Sequence, residues 1–380
     1  MCIEVKESHF SSITKSGIMI IQNMQQPSSV GKLQLVQKRR KFLMKRIVKN
    51  IVCMFLCVIM VLELGGTQKI MASNKETLYC YMDVKTNKYG LVNRKGKVIV
   101  KPTYDWINEF SDGMALVSKG NKYGYVDEKG KEVIKVSYKE ANDFSDGLAL
   151  IRDGKKYKYI DKSGKVLINV KGKYPSSFSE GYASLEINGK WGFIDKTGKV
   201  VITPAYDLAY PFCDGKALVS VDGKSGFINT DGKMVIKLTD KLEYSSFSEN
   251  YAEVYKNNKW GFIDENGKIV VKPTFYGIRD FHNGLAAFMK KDGKNYYMGF
   301  INKQGKTVIK PVYDEVNDFN ENLACVKKNG KYGFVNTKGK VVVKTIYDDA
   351  HDFHNGLAYV VKGDKAYFIN KTGKRVITIK

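Results

Sequence analysis

The chain has 380 residues and a formal net charge of +24. Hydrophobic residues make up 43%, enough to bury a core over most of the length, which excludes a wholly disordered chain. Aromatics at 12% (24 Tyr, 19 Phe), 35 Gly and 7 Pro lean toward β structure with glycine turns, and the charge favours anionic partners or an anionic surface.

Residues 1–50 carry net +8, residues 51–72 are neutral, and the chain from Ser73 on carries +16, so the later chain is basic in its own right. Lys38-Arg39-Arg40-Lys41 and Lys45-Arg46 precede an apolar run from Ile51 to Leu62. Twelve apolar residues are too few to cross a bilayer of about 30 Å as a helix, but they suit a signal-peptide core. Cleavage after Ala72 leaves a mature chain starting at Ser73, with Ile70 fitting the cleavage pattern imperfectly. A start at Met44 gives the basic segment ordinary proportions. Residues 1–43 are therefore read as a non-native or disordered extension, and 44–72 as a signal peptide. An uncleaved signal anchor is the alternative. Cys2, Cys53 and Cys57 lie in or before this segment, and Cys80, Cys213 and Cys325 are far apart, so no disulfide framework is expected.

From residue 79 onward one period governs the chain. Turn glycines recur at Gly96, Gly130, Gly164, Gly198, Gly232, Gly267, Gly305, Gly339 and Gly373, with steps of 34, 35 or 38 residues. The pairs Tyr89-Gly90, Tyr123-Gly124, Trp191-Gly192, Trp260-Gly261 and Tyr332-Gly333 keep the same step. So do Phe110, Phe144, Phe178, Phe212, Phe247, Phe281, Phe319 and Phe353. Helical repeats of similar length need apolar residues at three- and four-residue spacing, whereas these units hold short Val/Ile/Tyr/Phe runs broken by Gly, which reads as strands.

The unit at Leu323–Lys344 shows the expected parts. Strand one, Leu323–Lys327, meets strand two, Lys331–Asn336, through an Asn329-Gly330 type I′ hairpin, as at Asn188-Gly189 and Asp222-Gly223. Units with Gly120 or Gly154 are expected to carry one extra residue there. Asn336 opens a type I turn, Gly339 takes its left-handed position, and strand three follows as Lys340–Lys344. Pro102, Pro204, Pro273 and Pro311 are expected to end strand three. The segment Tyr313–Phe319 can supply a fourth short strand. Alternation puts Trp191 and Phe193 on one face, Gly192 and Ile194 on the other, and Val200 and Ile202 opposite Val201. Both faces are apolar, so each sheet must be covered by neighbours. Gly192 is expected to admit an aromatic ring against the backbone.

These units resemble the WG (or KWG) repeat of bacterial proteins over about 79–380. Trp-Gly-Phe-Ile-Asp at 191–195 and at 260–264 fits its core motif, while Ser225, Lys158 and the segment Ala366–Asn370 depart from it, and those units are expected to pack less well. The resemblance implies an all-β repeat array, often exported, with no established catalytic activity and no catalytic residues to carry over. The architecture is expected to be about nine antiparallel meanders of 34 residues, in a propeller-like ring or an open β-superhelix. The chain end, Val376–Lys380, offers no spare strand to the first unit, a point for the open form.

Singular chemistry finds little support. Asp127, Asp161, Asp195 and Asp264 share their slot with Asn93, Asn229, Asn302, Asn336 and Asn370, which have the same turn chemistry but no acid–base ability. Asp264–Lys268 begins like a calcium loop but lacks its later ligands. His351 and His354 flank Asp352 at loop positions, where the bland reading outweighs a metal site. No cofactor or metal is expected. The repeated cations are the candidate anion-binding residues: Lys97, Lys131, Lys165, Lys199, Lys233, Lys268, Lys306, Lys340 and Lys374, each after a turn glycine. A second row, Lys88, Lys122, Lys156, Lys190, Lys224, Lys259, Lys331 and Lys365, precedes the aromatic position. Lysines also protect exposed strands from sticking, which is the competing explanation.

The expectation is an exported, non-enzymatic repeat protein, secreted or at the cell surface, acting as a protein-binding scaffold. A cell-wall glycan or anionic-polymer module is the alternative, and a hydrolase the third choice. The partner is a protein or cell-envelope polymer. Export disfavours nucleic acid, and a membrane would be met only through an uncleaved N-terminal segment.

Overall fold

Asn188 and Gly189 hold φ of 54° and 83°, the left-handed pair that a type I′ hairpin needs, and join the strands Tyr182–Ile187 and Lys190–Asp195. The computed structural model describes residues 76–379, so the expected extension at 1–43 and signal peptide at 44–72 lie outside the described residues. Among the described residues the structure is all β: 34 antiparallel strands in nine sheets, and no helix. The Gly120 and Gly154 hairpins carry no extra residue. Lys119 pairs with Lys122 and Asp153 with Lys156, so both loops have two residues with glycine first. The second turn behaves as expected: Gly339 N–H donates to Asn336 O, and the Asn336 side-chain oxygen accepts from the N–H groups of Lys338 and Lys340.

Each sheet is a meander of consecutive strands and forms one blade. The nine blades span 78–104, 106–138, 140–169, 182–206, 208–239, 243–275, 277–313, 315–347 and 349–379. Blades 1 and 4 have three strands and the others four. The fourth strand expected in Tyr313–Phe319 is Glu315–Val316, the inner strand of blade 8.

The aromatic–glycine motif marks a bulge in the outer strand. Trp191 lies opposite Tyr206 and Phe193 opposite Ile202, so one residue of the middle strand faces three of its neighbour. A Cβ on Gly192 would sit 2.6 Å from the Ile202 carbonyl oxygen and 2.8 Å from Pro204 N. Gly192 thus makes room for the bulged backbone, and not for an aromatic ring. The prolines do not end strand three either: the strand Val200–Tyr206 runs through Pro204, tolerated because it lies in the bulge. The departing units test this rule. Lys158 stands at the glycine position of blade 3, and Tyr367 at that of blade 9. There the partners run straight, Lys158 with Asn169 and Tyr367 with Thr378. Blade 5 keeps its glycine (Gly226) beside Ser225 and keeps the bulge. The departing blades are not loosely packed: Ala366 and Phe368 are buried in the core.

The core lies between blades. Phe193 packs toward blade 5 with Phe212, Ala217 and Ile228, and Ile194 packs toward blade 3 with Tyr159 and Phe178. Both faces are therefore covered, as the apolar alternation requires. Val200 and Val201 are instead exposed, at 41% and 42%, because they sit on the outermost strand, and Ile202 alone turns inward. From Phe144 on, the recurring Phe of each unit lies against an aromatic of the preceding blade, as in Tyr125–Phe144 and Phe334–Phe353, with centroids 4.8 and 4.7 Å apart, whereas Phe110 packs in a cluster with Leu91. Burying one such ring contributes about 2–3 kcal/mol.

The ring closes, so the open superhelix is excluded. Tyr79, Tyr81 and Val92 of blade 1 pack with Leu357, Tyr359 and Phe368 of blade 9. Tyr79 donates to Asn355 O (3.1 Å) and Tyr359 to Met82 O (2.8 Å). Among the described residues no strand is shared across this seam, and side-chain packing holds it. The result is a nine-bladed β-propeller. His354 of blade 9 reaches Glu109 of blade 2 (3.4 Å), past a blade that has no inner strand among the described residues. Contact between non-neighbouring blades requires proximity to the axis, so the short strands line it.

Candidate interaction surfaces

The hairpins and the bulge turns sit at opposite ends of the same strands, so they occupy opposite faces of the ring. On the turn face, Lys97, Lys131, Lys165, Lys199, Lys233, Lys268, Lys306, Lys340 and Lys374 stand where each outer strand begins, and all nine are exposed. Their backbone N–H groups are used by the turn, as in Lys199 to Asp195 (3.1 Å) and Lys340 to Asn336. None of the nine ammonium groups enters an ion pair among those of the described residues. Equivalent positions in a ring place these charges in one circle.

Three lysines of the second row behave differently. Lys190 binds Asp207 (2.6 Å), and Lys88 and Lys331 bind Asp105 and Asp348 in the same way. These lysines hold the three carboxyls below the usual carboxylate range. Each aspartate also accepts from a hairpin amide of the next blade: Asp105 from Gly120 N, Asp207 from Asp222 N, and Asp348 from Gly363 N, all 2.7 Å. In these three linkers the Asp after the Tyr is therefore a clamp between blades. Tyr276 fills the aspartate slot after blade 6, and there Lys259 lies over its ring, 3.0 Å from the centroid.

The turn face carries a second belt that the sequence reading missed. In the Phe-Ser-Asp-Gly loops, Asp112 accepts from Gly147 N and Asp146 from Gly181 N, each 2.6 Å and each one blade on. Glu180, Asp214, Glu249 and Glu321 repeat the contact. Ser111 donates to Phe144 O and Ser179 to Phe212 O. The signal was present as an acid at the same place in six of these loops, but its partner lies one period away.

Acids lie on or just after several of the inner strands. Asn108 donates to Asp143 (3.0 Å) and Asn317 to Asp352 (3.1 Å), both across a blade boundary. Burial raises the pKa of Asp143 and Asp352. Burial, reinforced by the charges of Asp280 and Asp318, pushes Glu253 up to about 8, and burial lifts Asp280 to about 6. The outer oxygens Asp280 Oδ1 and Asp318 Oδ1 are buried without a hydrogen-bond partner. No group of three or more His, Cys, Asp or Glu with metal-binding geometry occurs among the described residues. His351 lies 3.8 Å from Asp349 and against Tyr359, and His354 pairs with Glu109, so the two imidazoles serve separate contacts. Asp264 uses its carboxylate on Asn266 N and Lys268 N, a turn rather than a calcium loop.

The family model described as "WG containing repeat" matches eight times, at residues 89–123, 123–157, 159–191, 191–224, 226–260, 260–294, 298–332 and 332–365. Each window runs from the middle strand of one blade to that of the next. No curated protein matches the chain. Among solved structures, the chain is similar to one titled as a eukaryotic initiation factor, at 11% identity and a TM-score of 0.56, covering 80% of this chain and 95% of that one, a likeness of fold. It also matches Hsv2 of Kluyvelomyces marxianus (13% identity, TM-score 0.35, 59% and 92% covered). PorZ, titled as a surface component of the type-IX secretion system of Porphyromonas gingivalis, matches at 10% identity and a TM-score of 0.35, with 77% and 50% covered.

Proposed function

Because the chain belongs to the family of WG-repeat proteins, we propose that it is an exported, non-enzymatic interaction scaffold whose turn face meets an anionic partner. The observation that supports this reading is the circle of nine turn lysines, all exposed and outside the ion pairs of the described residues, whereas Lys88, Lys190 and Lys331 of the second row are held in clamps between blades. The equivalence of the turn lysines makes the surface multivalent, so weak single contacts add through effective concentration. The partner class is an anionic polymer of the cell envelope or an acidic protein surface. Export rests on the basic segment and apolar run before Ala72.

The test is retention of the purified protein on isolated cell wall, and of secreted proteins on the immobilised protein, across a salt series. Retention falls steeply from about 50 mM to about 500 mM salt, as screening of exposed charges requires. Replacing Lys165, Lys199 and Lys233 together by Gln lowers retention and leaves the melting temperature unchanged. Retention that survives high salt, or ignores the triple substitution, overturns the electrostatic account.

A further inference from the structure

Blade 4 breaks the pattern of the ring on the hairpin face. The linker into most blades carries an aromatic that packs at the blade boundary, such as Tyr104, Tyr313 and Tyr347, all buried. In the linker into blade 4 that slot holds Gly172. Its backbone presses against the strand Tyr182–Ile187, where a Cβ would lie 2.6 Å from Glu186 O. Lys173 exchanges two backbone hydrogen bonds with Glu186, so this strand edge is already occupied. A cleft of about 580 Å3 opens beside this contact, lined by residues 170–173 and 186–189.

An exposed aromatic stands two residues later. Tyr174 is 64% exposed and holds φ at +50°, a left-handed conformation that costs a bulky residue energy. Its ring lies nearly parallel to that of half-buried Trp191, at 16° and 6.4 Å between centroids. Beside it, Lys173 and Glu186 sit 3.8 Å apart, a donor and an acceptor at the cleft wall.

We propose that this cleft binds a pyranose unit of a polysaccharide, with the sugar's hydroxyls on Lys173, Glu186 and Asn188 of the lining and its apolar face on Tyr174, which follows that lining in the chain. A sugar ring has one flat C–H face and an edge of groups that both donate and accept, which matches an exposed aromatic plane beside a cation and a carboxylate. An extended peptide would need a free strand edge, and Lys173 covers it. The site is on the face opposite the lysine circle, so it goes beyond the electrostatic reading and stands or falls separately from it.

The test titrates the full chain with tetrasaccharides of glucose, N-acetylglucosamine and galacturonic acid, followed by tryptophan fluorescence and calorimetry. At least one saturates with one site per chain, and binding persists at high salt. Tyr174→Ala weakens it about tenfold or more, the loss of one stacked ring, while Tyr174→Phe stays within about threefold. Lys173→Ala, placed on an exposed side chain, weakens binding without changing the melting temperature. No binding by any of the three sugars overturns the proposal, as does binding that ignores Tyr174→Ala. A salt-sensitive interaction lost with the turn lysines instead reports the other face.

Discussion

Gly192 shows how one residue writes a motif. Its conformation is one that any residue could adopt, so the demand for glycine comes from space: the Ile202 carbonyl and the Pro204 nitrogen occupy the volume of a Cβ. Where the glycine is absent, at Lys158 and Tyr367, the outer strand runs straight and the bulge is gone. Gly192→Ala is therefore expected to destabilise the protein by about 1–3 kcal/mol through overpacking against backbone. Lys158→Ala, in a blade without the bulge, changes stability by less than about 1 kcal/mol. Thermal midpoints of the two variants compare them directly, and equal shifts would refute the bulge account.

At the scale of an element, the boundary between blades 6 and 7 carries an acid that folding disfavours. Glu253 lies on the strand Tyr251–Lys256, where the matching residue of blade 2 is Leu116 and that of blade 5 is Leu218. Burial and the neighbouring Asp280 and Asp318 raise its pKa to about 8, against about 4.3 in an unfolded chain. Between those values the folded protein holds a proton that the unfolded chain has released. Stability therefore falls as pH rises across about 4.5 to 8. Glu253→Gln is expected to match the parent near pH 4 and to exceed it near pH 8, by on the order of 2 kcal/mol. Urea midpoints measured at the two pH values check this, and a gain at pH 4 alone would contradict the sign.

The whole molecule depends on one joint unlike the others. Eight blade boundaries are spanned by a linker, while the boundary of blades 9 and 1 is held by side chains alone. Tyr359 serves it twice, by packing and through its hydroxyl on Met82 O. Tyr359→Ala removes a buried ring and a hydrogen bond, a loss of about 3–5 kcal/mol. Hydrogen exchange should then rise first in blades 1 and 9, since opening there breaks no chain connection and costs the least ordered structure. Uniform acceleration across all nine blades would show that the seam is not the weak point.

The sequence by itself determined the repeat, the strands and the turns. These rest on contacts between residues a few positions apart: Asn188 and Gly189 in one hairpin, Asn336 with Lys340 in one turn. The alternation of Phe193 and Ile194 likewise announced a sheet covered on both faces, without saying by what. Tertiary structure decided everything that spans a period or more. Only there does Asp112 meet Gly147, Asp105 join Lys88 to Gly120, and Gly192 meet a bulge. Closure was also out of reach, because Tyr79 and Asn355 lie 276 residues apart and the seam borrows no strand. The two lysine rows look alike in sequence, and only in the structure do aspartates pair with Lys88, Lys190 and Lys331 of one of them. Local chemistry is written in adjacent residues, whereas pairing and closure are set by which surfaces the ring brings together.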